Sequence, residues 1–130
     1  MLLHGKLDPA VATALERHGH KPVTLDDAVI EADVAADELF QLAHVKQLDV
    51  LTADRDTAQF ARTQAFKFDR SVVYLQLAGG DVEQDDAIDR LFARYKRLKP
   101  HAVYTVTETQ VKVQQMRARP LGRAETSENE

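Results

Sequence analysis

The sequence has no cysteine, no tryptophan and only 5 glycines in 130 residues. It also lacks any uncharged apolar run approaching the roughly 18 to 20 residues that cross a bilayer. Each absence removes a class of answer. Without thiols there are no disulfide staples and no thiolate metal sites. Without a long apolar run there is no transmembrane helix. The start Met1-Leu2-Leu3-His4 has neither the basic nor the apolar region of a secretory signal, so the expected location is cytoplasmic, with no membrane partner. The few glycines form neither a dinucleotide fingerprint nor a phosphate-cradling loop, and Gly79-Gly80 is too short for either. HExxH, nucleophile-elbow and zinc-finger patterns are absent too.

What is present is enough apolar residue, 44% of the chain, for one domain with one core. The net charge of −4 conceals an asymmetry: residues 1 to 89 hold 8 Lys and Arg against 17 Asp and Glu, whereas residues 90 to 119 hold 8 against the single Glu108. A basic segment beside an acidic body can steer a polyanion or an acidic protein, and it can equally be the solvated face of a helix and a strand.

The stretch from Leu48 to Thr57 carries the most information. A short apolar run, Leu48-Asp49-Val50-Leu51, stops at Thr52-Ala53-Asp54-Arg55-Asp56, the pattern of a buried strand delivering acids to a sheet edge. Around it, Met1–His4 reads as a first strand and Gly5-Lys6 as a turn. Asp8-Pro9 reads as the N-cap and first position of a helix that ends at Gly19, where His18 and His20 can satisfy last-turn carbonyls. Pro22–Leu25 is a short second strand, and 26–33 an acidic turn. A helix from Ala35 buries Leu39, Phe40, Leu42, Ala43 and Val45, with Asp37 and Glu38 in its first turn.

Asp54 or Thr52 can cap a helix through Thr57, Ala58, Phe60 and Ala61. Ser71–Leu77 reads as a central strand. Asp81 can cap the longest helix, in which Val82, Ile88, Leu91, Phe92, Tyr95 and Leu98 follow helical spacing up to Pro100; its acid start and basic end complement the helix dipole. Ala102–Val106 and Val111–Val113 form a terminal hairpin, less buried than the middle of the sheet. The domain spans 1–118, and the aperiodic tail 119–130 is expected to be disordered. This alternation predicts a three-layer α/β/α sandwich with a mainly parallel sheet and a C-terminal hairpin.

Strand-end acids at Asp54 and Asp56 could supply one side of a Mg²⁺ or Mn²⁺ site, since hard cations take oxygen ligands and activate water beside a phosphate. The segments Met1–Leu7, Leu15-Glu16-Arg17-His18-Gly19-His20, Asp37–Ala43, Val50–Asp56 and Val111–Val113 together resemble small bacterial PIN-like proteins related to toxin-type PIN nucleases. The resemblance covers roughly residues 1 to 120. It implies a PIN-like fold and, for active members, metal-dependent cleavage of RNA, with an antitoxin-like protein as partner. Carried over residue by residue, Asp54 and Asp56 match. The family's aspartate at the end of strand one falls on His4, its acidic-amide pair on Gly5-Lys6, and its middle-helix acid on Ala36, beside Asp37 and Glu38.

Two readings follow. In the first, an endoribonuclease uses Asp54, Asp56, Asp37 and Glu38 in catalysis, with Asp54, Asp56, Asp37 and His4 holding Mg²⁺ or Mn²⁺. Lys6, Arg55, Arg94, Arg97 and Lys99 would then contact phosphates. In the second, the domain is catalytically inactive, holds no metal, and binds nucleic acid or protein. Apolar faces on several helices would permit a homodimer in either case.

Overall fold

The computed structural model describes residues 1–64 and 66–116. The reading of the tail as disordered, and the last two residues of the proposed domain, lie outside them. The elements run β1 (Leu2–His4), α1 (Pro9–Arg17), α2 (Ala36–Lys46), β2 (Val50–Thr52), α3 (Arg55–Thr63), β3 (Val72–Leu75), α4 (Asp81–Arg94), β4 (Ala102–Val106) and β5 (Val111–Gln115). They form one five-stranded sheet in the order β1-β2-β3-β4-β5, parallel except for the antiparallel β4–β5 hairpin. Helices cover both faces, so the expected α/β/α sandwich is what the chain builds.

Strand alternation explains the two cores. Leu3, Leu51, Val73 and Tyr104 lie in one register row and face α1 and α4, where Val11, Leu15, Ile88, Leu91 and Phe92 complete the packing. Leu2, Val50, Val72 and Val103 form the neighbouring row on the opposite face, under α2 and α3, against Phe40, Leu39, Ala61 and Phe68. With both faces covered, the strands need to be apolar on both sides, as they are.

Several boundaries move for physical reasons. Pro22–Leu25 is not a strand but a single parallel bridge, Leu2 to Val23, because the chain turns at once into the 24–30 loop. Leu48 is not in β2: its N–H closes the end of α2 on the Ala43 carbonyl at 2.9 Å, so the strand starts at Val50 and includes Thr52. Asp81 does not cap α4; Gly80 holds that place without a side-chain bond. The same helix ends at Arg94, leaving Lys96, Arg97 and Lys99 beyond it, so the helix dipole accounts for Arg94 alone. Val45 and Val82 are exposed rather than buried on the helix faces assigned to them, and β4 is buried along its whole length while β5 carries the hairpin's exposure. His18 and His20 do not satisfy carbonyls with their rings: the backbone N–H groups of Gly19 and His20 do so, while both imidazoles lie against Phe92.

Three turns end in the same way. In each, a residue with positive φ donates its N–H three residues back, and its successor donates five residues back, the Schellman arrangement. The pairs are Gly19 and His20, Val29 and Ile30, and Gln47 and Leu48. Only the first uses glycine. Val29, at φ 59° and 90% exposed, and Gln47, at φ 55°, hold side chains in a conformation that disfavours a Cβ. A left-handed L-residue costs about 1–2 kcal/mol, and glycine's extra chain entropy returns roughly 0.5–1 of it. Val29→Gly and Gln47→Gly should therefore each stabilise the fold by about 0.5–1 kcal/mol in urea unfolding, Val29→Gly the more because valine is β-branched.

Candidate functional site at the carboxyl ends of β1 and β2

After β1 the chain first travels outward, to the Val23 bridge on the outer side of β1, and then returns to β2 on the inner side. Its direction across the sheet therefore changes between β1 and β2. In open α/β sheets, ligands bind in the crevice beyond the strand ends at such a point. An open cleft of about 430 Å³ lies there, lined by Gly5, Lys6, Leu25, Ala32, Ala53, Asp54 and Arg55.

The backbone of this crevice is tightly held. Gly5 has φ 90°, and a Cβ on it would stand 3.2 Å from the Asp54 amide nitrogen and 3.3 Å from that of Ala53. The Ala53 N–H donates to the His4 carbonyl at 3.2 Å, which ties the two strand exits together. Gln84, buried in α4, fixes the turn from behind: its Oε1 accepts from the Asp8 N–H at 2.7 Å and its Nε2 donates to the Lys6 carbonyl at 3.4 Å. Sequence reading misses Gln84, because a glutamine within an acidic helix face looks solvated until the opposite loop packs on it.

Asp54 caps α3. Its Oδ2 accepts from the Thr57 N–H at 2.8 Å and from the Thr57 hydroxyl at 2.7 Å. The Thr57 hydroxyl hydrogen bond is the main reason the Asp54 pKa lies below the ordinary aspartate range; burial opposes the shift, and the Thr57 amide and His4 assist it. His4 sits in the polar layer below. Its Nδ1 is 2.9 Å from the Thr52 hydroxyl, which in turn accepts from the Asp54 N–H at 2.9 Å. Burial lowers the His4 pKa, with Asp54 pulling the other way, so the ring favours its neutral form.

The structure brings His4, Lys6, Asp54 and Arg55 to one end of the sheet. Asp56 is an exposed first-turn residue of α3. Asp37 and Glu38 are exposed at the start of α2, where Asp37 accepts from the Glu38 N–H at 2.9 Å. Neither belongs to the cleft lining. Among the described residues, no group of three or more His, Asp or Glu is placed to hold a metal ion. The donor set expected for Mg²⁺ or Mn²⁺ is thus not assembled, and Lys6 and Arg55 beside Asp54 make the crevice a poor home for a cation.

The remaining expected contacts lie elsewhere. Arg94 ends α4, and Arg97 and Lys99 lie in the connection to β4. α4 runs antiparallel to the strands, and the Lys99 carbonyl accepts from Ser71, just before β3. These three cations therefore sit at the amino ends of the strands, across the sheet from Lys6 and Arg55. Arg90 is occupied structurally, donating to the carbonyls of Thr107 and Glu108 at 2.9 and 2.8 Å.

Asp54 separates structure from chemistry if the right substitution is chosen. Asp54→Ala removes a double cap and should cost about 1–2 kcal/mol, whereas Asp54→Asn keeps an N-cap acceptor and should cost much less. A depressed carboxylate contributes stability that is complete above its unfolded pKa, near 3.8, and is lost as pH falls through the lower folded value. Asp54→Asn should consequently flatten the acid limb of a stability–pH curve below about pH 4.

No family model, no curated protein and no solved structure matches the chain. Among the described residues, no helix is long and apolar enough to cross a membrane.

Proposed function

We propose that the chain is a PIN-like domain whose crevice binds a nucleic-acid phosphate without cleaving it. One observation carries this reading. Lys6 and Arg55, both exposed and neither ion-paired among the described residues, line the same cleft as Asp54, whose carboxylate is engaged by the first turn of α3. Lys6 offers a compact ammonium and Arg55 a planar fork, the two common phosphate partners. The chemistry such a pair performs is charge neutralisation and orientation of an anion.

The surrounding charge sets the direction of approach. Leu25 and Ala32 border the cleft, and between and beyond them Asp26, Asp27, Glu31 and Asp33 are exposed. That side repels a polyanion. The strand must therefore arrive over α3 and the ends of β3 and β4.

The test is anisotropy of a labelled single-stranded oligoribonucleotide, titrated from roughly 50 to 200 mM salt without divalent metal. Binding should weaken steeply with salt. Each of Lys6→Gln and Arg55→Gln should reduce the log–log salt slope by about 0.7, the single-strand value per phosphate neutralised. No binding at low salt, or a slope unchanged in both variants, would overturn the proposal. Mn²⁺-dependent cleavage of the same RNA that Asp54→Asn abolishes would replace it with the nuclease reading.

A further inference from the structure

One register row on the α2/α3 face breaks the apolar pattern. Beyond Leu2, Val50, Val72 and Val103 come His4, Thr52, Tyr74 and Thr105, continued on β5 by Lys112. The first four are at most 8% exposed. Burying four polar side chains in one row costs stability that a row of valines would not, unless each finds a partner. His4 and Thr52 find each other. Tyr74 has its ring buried, 5% of the residue being exposed, while its hydroxyl makes no hydrogen bond among the described residues and reaches solvent instead.

Above Tyr74 and Thr105 stands Arg62, from the last turn of α3. Its guanidinium carbon lies 5.4 Å from the Tyr74 ring centroid. It donates to Gln59 Oε1 at 3.0 Å and makes only a long contact, 3.5 Å, with the Thr105 hydroxyl. It has no carboxylate partner among the described residues. Stacking on Tyr74 orients the planar fork, while neutral acceptors leave its charge uncompensated. Lys112, exposed and directly opposite Thr105 in the hairpin register, puts a second cation beside it.

We infer that Arg62, Thr105 and Lys112, with the Tyr74 hydroxyl, form a second phosphodiester-binding station. It lies about 10 Å, or two strand spacings, along the strand ends from Thr52 and the crevice. Two cationic stations at the carboxyl ends of the strands make a track for phosphates of one single strand, over the side of the sheet that the acidic 26–33 loop leaves open. This inference extends the phosphate reading of the crevice and rests on it for the continuity of the track, but its residues are separate.

The full chain, labelled with ¹⁵N, allows the Arg62 Nε–H signal to be followed by NMR during titration with inorganic phosphate and, separately, with a single-stranded oligoribonucleotide. Both should shift it, the oligonucleotide at far lower concentration. Arg62→Gln and Lys112→Gln should each weaken oligonucleotide binding by roughly tenfold, the loss of one charged hydrogen bond. Thr105→Val, which keeps the shape, should weaken it several-fold, and Lys99→Gln at the opposite edge should leave it unchanged. An Arg62 signal unmoved by either ligand, together with wild-type affinity in Arg62→Gln, would overturn the station. Equal affinity for phosphate and oligonucleotide would overturn its assignment to a strand in favour of a free phosphate. Weakening in the Lys6 and Arg55 variants alone would sink this inference and keep the crevice; weakening in the Arg62 and Lys112 variants alone would do the reverse.

Discussion

Phe40→Ala should lower the unfolding free energy by about 3–5 kcal/mol, the range for removing a fully buried phenylalanine. Phe40 is 0% exposed, and its ring centroid lies 6.0, 5.0 and 5.3 Å from those of Phe60, Phe66 and Phe68. Four of the chain's 5 phenylalanines thus sit together, joining α2, α3 and the segment before β3. That segment has no helix or strand among its described residues; the rings hold its start, and Asp69 against His44 with Arg70 and Ser71 against Asp49 hold its end. For a domain with the usual roughly 5–15 kcal/mol of stability, the loss takes about a fifth of the total or more. Urea unfolding should show a lower midpoint at an unchanged m-value, with Phe40→Leu losing much less. A loss below about 1 kcal/mol for Phe40→Ala would mean that the cluster is not close-packed.

Gly5→Val is expected to cost about 2–5 kcal/mol, and its damage should be focused on the crevice. Two terms combine: a left-handed valine costs about 1–2 kcal/mol, and overpacking adds about 1–3. The crowding is against backbone, the Asp54 and Ala53 amides, which cannot swing aside as a side chain could. The substituted turn can fit only by moving β1's exit away from β2's, which strains the Ala53 to His4 hydrogen bond. Gly5→Ala should lose less, because one methyl meets the same atoms with little bulk behind it. Chemical unfolding measures the stability term. Oligonucleotide affinity under folded conditions measures the rest, and Gly5→Val should bind more weakly even where it is fully folded. Unchanged stability in Gly5→Val would contradict the close approach itself.

The reading of the site was legible only in part, and for a definable reason. Asp54 and its capping role are visible in the chain because a capping acid, a threonine three residues on and an apolar run before them are neighbours in sequence. The four-residue polar row is not visible in the same way. His4, Thr52, Tyr74 and Thr105 are each an ordinary residue at the end of a short apolar run, and they become a site only when parallel register aligns them. Arg62 likewise reads as the solvated face of a helix until α3 is laid over β3 and β4. Arg94, Arg97 and Lys99, expected to contact phosphates together with Lys6 and Arg55, lie instead at the amino ends of the strands. Because α4 runs antiparallel to the strands, the two groups lie at opposite ends of the strands.

Local order, by contrast, follows from the chain alone. The alternation of apolar runs with helical spacing, Asp8-Pro9 at the start of α1, Gly19 at its end and the double-sided apolar strands determine a parallel α/β/α sandwich, because each feature depends on residues a few places apart. Tertiary structure decided what those elements bring together: which acids meet, which cations are left unpaired, and where the helix ends fall. Asp37 and Glu38 stayed on an exposed first turn while Lys6 and Arg55 came to the crevice. The sign of charge at a site is set by side chains distant in sequence, and only the packing of the sheet adds them up.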